Sequence, residues 1–86
     1  MLKDYKHKQV IVQAMQVLVE NIEKVAFWCG GVIIYRDGEP IGVIVPRVSG
    51  AQNCYIGDYI IKGATGAFYP IEASEFNARY EGTWVD

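Results

Sequence analysis

Residues Val32 to Val45 read VIIYRDGEPIGVIV, two apolar, β-branched runs joined by Asp37-Gly38. Asp-Gly tolerates positive φ at both central positions of a type I′ turn, whose twist matches that of paired antiparallel strands. The spacing therefore predicts a hairpin with strands at Val32–Arg36 and Ile41–Val45. With that turn Arg36 falls opposite Glu39 and Ile34 opposite Ile41, so charge and apolar pairing agree with one register. Pro40 and Pro46 lack a backbone donor, which predicts that the second strand lies near a sheet edge or has a shortened ladder.

Upstream, QVIVQAMQVLV from Gln9 to Val19 is rich in β-branched residues and reads as a strand, central in its sheet. Asn21 then stands at an N-cap position. Ile22, Val25, Ala26 and Cys29 repeat at i, i+3, i+4 and i+7, the apolar face of a short helix that Gly30 and Gly31 close. Downstream, Arg47 to Asn53 (RVSGAQN) is small and polar and reads as an exposed loop. A second hairpin is expected over Tyr59–Lys62 and Ala67–Tyr69 around Gly-Ala-Thr-Gly. Ser74 is the expected cap of a last short helix that carries Phe76 and Tyr80 on one face. The order strand, helix, hairpin, hairpin, helix predicts an α+β fold: one small domain over residues 1–86, with a mostly antiparallel sheet of about five strands and two short helices.

A chain of 86 residues, 51% apolar, has room for one core and no second domain. It buries only roughly 60 to 65% of the surface its unfolded form exposes, so a homo-oligomer is the expected source of extra stability. Eight basic against ten acidic residues give a net charge of −2, which disfavours a broad nucleic-acid surface. The clusters at Lys3, Lys6, His7 and Lys8 and at Glu72, Glu75, Glu81 and Asp86 read as solvated charge. No secretory leader is evident and no apolar run approaches the roughly 20 residues of a membrane span, so a soluble protein with free thiols is expected.

Chemistry-bearing residues are few. A cysteine nucleophile would need His7, the single histidine, and nothing in the sequence brings Cys29 or Cys54 to it. Structural zinc wants four ligands, and only three Cys or His residues exist. Asp58 after Gly57 reads as a turn residue whose carboxylate accepts a local N–H. Gly-Ala-Thr-Gly lacks the lysine and following helix of a phosphate loop and reads as a hairpin end. The expectation is a non-enzymatic protein without metal or cofactor.

Four segments, KHKQVIVQAMQ (Lys6–Gln16), FWCGG (Phe27–Gly31), GDYIIKG (Gly57–Gly63) and GAFYP (Gly66–Pro70), cover about a third of the chain. In their order and spacing they resemble a family of short, largely uncharacterised phage and prophage proteins. Members often carry proline at the position of Gln9 and a Cys-Lys-Pro-Asp run where this chain has Ile71 to Ser74. Their passage before the Gly-Asp motif is shorter. The resemblance implies a phage accessory protein acting in the host cytoplasm, with no residue role to carry over.

Two binding readings follow. One is an inhibitor of a host protein, such as a defence component, with aromatic contacts from Tyr55, Tyr59, Phe68, Tyr69 and Trp84, although Tyr59 and Phe68 sit in strands and suit the core. The other is an oligomer that sequesters a nucleotide signal, its phosphate met by Arg36, Arg47 and Lys62 and its base by Tyr55 or Tyr69. The segment from Tyr35 to Tyr55 is the least family-like and the expected place for a variable surface.

Overall fold

A computed structural model describes residues 13–80. Along the chain come β1 (Gln13–Gln16), a 3₁₀ turn (Val19–Asn21), α1 (Ile22–Cys29), β2 (Val32–Arg36) and β3 (Glu39–Val45). β4 (Gln52–Tyr55), β5 (Tyr59–Lys62), β6 (Phe68–Ile71) and α2 (Ala73–Arg79) complete it. The fold is α+β, and among the described residues all strand pairings are antiparallel. The strands form two sheets of three, ordered β1-β5-β6 and β2-β3-β4, where one sheet of about five strands was expected.

The Asp37-Gly38 hairpin forms as predicted, with φ of 52° and 79° at the two turn residues. Arg36 pairs with Glu39, but a shift between Ile34 and Tyr35 places Ile34 opposite Gly42 rather than Ile41. β3 is the central strand of its sheet, not an edge. Its pairing with β4 spans Gly42 to Val45, so Pro40 precedes and Pro46 follows the stretch that bonds on both sides. The missing donors therefore cost that ladder nothing.

β4 occupies the end of the expected Arg47–Asn53 loop: Gln52 and Asn53 pair with Val45 and Ile44. Their polar side chains do not prevent strand formation, because the backbone of β3 supplies the partner and one face of the strand is exposed. The connecting turn closes through the Gly50 N–H to the Arg47 carbonyl, 3.1 Å.

β1 lies at the edge of the other sheet, paired to β5, where a central strand was expected. The expected strand residues 9–12 lie outside the described residues. Past Gln16 the chain still bonds through Val17, whose N–H reaches the Asp58 carbonyl at 2.8 Å. Asn21 then turns it: its Nδ2 donates to the Gln16 carbonyl (2.9 Å) and its Oδ1 accepts from the Leu18 N–H (2.9 Å). Asn21 occupies the N-cap of α1 as expected, yet its side chain fastens the strand exit and not the helix. Gly30, at φ 69°, closes α1 in the left-handed conformation.

β5 is buried on both sides. Ile60 faces a core built from Val17, the apolar stripe of α1, Val43, Val45 and Cys54. Ile61 faces a second cluster with Ile71 and Phe76, which α2 brings against the opposite side of the β1-β5-β6 sheet. Two adjacent apolar residues therefore sit in a strand without alternation, as a sheet covered on both faces requires. No helix among the described residues is long and apolar enough to cross a membrane.

Candidate functional site between two strand edges

The two sheets meet where β4 and β6 run side by side without pairing. Between them lies an open groove of about 500 Å³, lined by Ala51 to Tyr55 from β4 and its approach, by Pro70 to Glu72 from β6 and its exit, and by Asp58. Asn53 and Tyr55 alternate with the buried Cys54, so they share the outer face of β4. The Asn53 Nδ2 donates to the Tyr55 hydroxyl at 3.0 Å, which holds the two side chains together.

Asp58 is positioned by the turn between β4 and β5, where its N–H reaches the Tyr55 carbonyl (3.0 Å) and Gly57 takes φ 99°. Its carboxylate accepts the Ala73 N–H at 3.0 Å, the first residue of α2. A local N–H donor was expected; the bond instead spans 15 residues and joins the turn to the last helix. It supplies the cap expected of Ser74, which lies exposed inside α2, while Glu72 holds the N-cap position and makes no side-chain cap bond.

The groove floor is chemically quiet. Cys54 is fully buried, and its pKa is pushed up to about 12, first by burial, then by the negative charges of Asp58 and an ionised Cys29. Burial likewise raises the Cys29 thiol. Both thiols are buried in one core, as free cysteines commonly are.

Of the binding residues named from the sequence, Tyr55 is the one among the described residues that lines the groove, beside Cys54 and Asp58, which were weighed there for chemistry. Arg47 lies at its margin, its Nη1 bonded to the Gln52 Oε1 at 2.7 Å and its guanidinium 5.8 Å from the Tyr69 ring. Tyr69 also meets Tyr80, and burial raises its pKa first, the hydrogen bond to Tyr80 second. Lys62 lies over Phe68, 5.8 Å from the ring centroid. Tyr35 is exposed on β2, and Arg36 stands beside the Asp37-Gly38 turn. Trp84, His7 and the Lys3–Lys8 strip lie outside the described residues. Tyr59 stacks on Phe76 at 3.7 Å and Phe68 meets Trp28 edge-on at 4.9 Å, the core placements expected for strand aromatics.

Asn53, Pro70 and Glu72 carry no motif, and sequence reasoning missed them as groove residues. The only cue was Asp58, a carboxylate beside a turn glycine. No group of three or more His, Cys, Asp or Glu placed to hold a metal ion occurs among the described residues. The chain matches no family model, no curated protein and no solved structure.

Proposed function

We propose that this chain is a phage- or prophage-derived accessory protein without catalytic activity, which acts by binding and inhibiting a host protein, such as a defence component, through the β4–β6 groove. The observation that carries this reading is the groove's lining: Asp58 and Glu72 contribute carboxylates, Tyr55 an exposed aromatic ring, and no lysine or arginine takes part. Such a surface repels phosphate and favours amide and cationic groups of a protein. Aromatic rings at the wall of a groove are frequent anchors in protein interfaces. The nucleotide-sequestering alternative draws its support from the Arg47–Tyr69 pair, a cation beside an aromatic face at the margin of the same groove.

The test is affinity capture from host bacterial lysate with the tagged chain, its Tyr55→Ala and Glu72→Lys variants, and Phe27→Ser as a control at an exposed residue outside the groove lining. A host protein should be retained by the wild type and the control and lost with both groove variants. A thermal scan with a nucleotide panel runs beside it, since a ligand bound only to the native state raises Tm. Capture unaffected by the groove variants, or a Tm rise with a nucleotide that Arg47→Ala removes, would overturn this reading.

A further inference from the structure

We infer that the groove receives an extended, basic segment of the partner, which adds as a strand to the outer edge of β4. The inference rests on the binding reading above and specifies its mode. Its basis is the phase of the two ladders. The Ile56 N–H bonds to the Ile41 carbonyl at 3.0 Å, so Ile41 and Ile56 form a hydrogen-bonded pair of the β3–β4 ladder. Alternation in an antiparallel ladder then turns the backbone groups of Cys54 and Gln52 toward β3 and those of Asn53 away from it, into the groove.

The same reasoning applies across the groove. The Gly63 N–H bonds to the Ala67 carbonyl at 2.8 Å, which sets the β5–β6 phase. Tyr69 and Ile71 therefore bond to β5, while the backbone of Pro70 faces outward. Proline has no N–H to offer, so the β6 edge is blunted and the two sheets do not zip into one. The β4 edge has no such device: Asn53 presents both a donor and an acceptor to the groove.

Main-chain bonds along that edge would hold any extended strand, and the side chains around it select among them. Asp58 and Glu72, with no lysine or arginine in the lining, are complementary to a lysine or arginine on the incoming segment. The occupant is thus a β-prone basic stretch of a host protein.

The experiment uses the full chain labelled with ¹⁵N and three synthetic peptides: acetyl-TVRVT-amide, the same peptide with glutamate for arginine, and the arginine peptide N-methylated on its backbone. The arginine peptide should shift the amide signals of Asn53 and Tyr55 and slow hydrogen exchange at Asn53. The glutamate peptide should bind about tenfold more weakly, and the N-methylated one should not bind. Glu72→Gln should weaken the arginine peptide by about two- to fivefold, the range of one exposed ion pair. Asn53→Pro removes the outward N–H together with the Asn53–Tyr55 side-chain bond and should abolish binding, whereas Asn53→Ala removes the side-chain bond alone and should still bind. If the proline variant does not fold, the N-methylated peptide reads the same bond from the other side. No shift over residues 51–55 with any peptide, equal binding of both charge forms, or protection of Asn53 that grows with protein concentration alone would overturn the inference. So would host-protein capture that needs Tyr55 and Glu72 but survives Asn53→Pro, a result that leaves the binding reading intact.

Discussion

The Asp58 carboxylate accepts the Ala73 N–H at 3.0 Å, and this one bond ties the turn leaving β4 to the start of α2. An N-terminal helix N–H without an acceptor is costly when half-buried, and α2 has only seven residues with which to offset it. Because Glu72 directly precedes Ala73, the bond also holds Asp58 and Glu72 near each other in the groove lining.

Asp58→Ala should therefore destabilise the fold by about 1 kcal/mol, the usual worth of a lost cap, which for a domain of this size is a Tm loss of about 4–8 °C. Asp58→Asn keeps an acceptor oxygen and should lose less. Urea unfolding of the three proteins checks this. Equal midpoints would mean that the bond contributes nothing.

How far the fold was legible follows from where each element's information lies. The β2–β3 turn and the α1 stripe were readable because Asp37-Gly38 and the Ile22, Val25, Ala26, Cys29 spacing are local signals. β4 was not, since Gln52-Asn53-Cys54-Tyr55 has neither β propensity nor clear alternation and becomes a strand through the backbone of β3. The division into two sheets was also hidden, although Ile60-Ile61, buried on opposite faces, is its trace in the sequence. Groove residues come from strands that are distant in the chain and meet only through sheet order, so Tyr55 could be singled out as an aromatic but Asn53 and Pro70 could not.

Gly42 is tightly packed within the β2-β3-β4 sheet. It faces Tyr55 in a non-hydrogen-bonded pair, where strands approach most closely, and a Cβ there would lie 2.5 Å from the Cys54 carbonyl oxygen and 3.1 Å from the Tyr55 Cα. Both neighbours are backbone and cannot rotate away. Gly42→Ala should cost about 1–3 kcal/mol through overpacking and shift the Asn53 and Tyr55 amide signals, since β4 must move. An unchanged denaturation midpoint would show that β4 yields freely.

Substitution should matter greatly at Phe76 and little at Phe27. Phe76 is 1% exposed, lies between Ile61 and Ile71, and stacks on Tyr59 with planes 6° apart. Phe76→Ala should lose about 3–5 kcal/mol, a large share of the stability a small domain has. Phe27, on the outer side of α1, is 91% exposed. Phe27→Ser should change stability by no more than about 0.5 kcal/mol. Thermal melts of both variants test the assignment of core and surface.

Cys54 predicts an alkaline limit to stability. Its pKa rises from 9.0 to about 12 in the fold, because burial and then the Asp58 charge disfavour the thiolate. Below pH 9 the thiol is protonated in both the folded and the unfolded chain, and its contribution to stability is complete. Between pH 9 and 12 the unfolded chain releases the proton while the native one holds it, so stability declines with rising pH, by roughly 4 kcal/mol at the upper end. Cys54→Ala removes this term, and tyrosine and lysine titrations common to both proteins cancel in the comparison. The advantage of wild type over Cys54→Ala in urea should therefore shrink steadily as pH is raised above 9. Adding Asp58→Ala to the wild type should leave the onset near pH 9 and make the thiol's share of the decline smaller and complete at a lower pH, since one of the charges holding the folded thiol neutral is gone. A wild-type advantage that stays constant to pH 11 would show that the thiol ionises as readily in the fold as outside it.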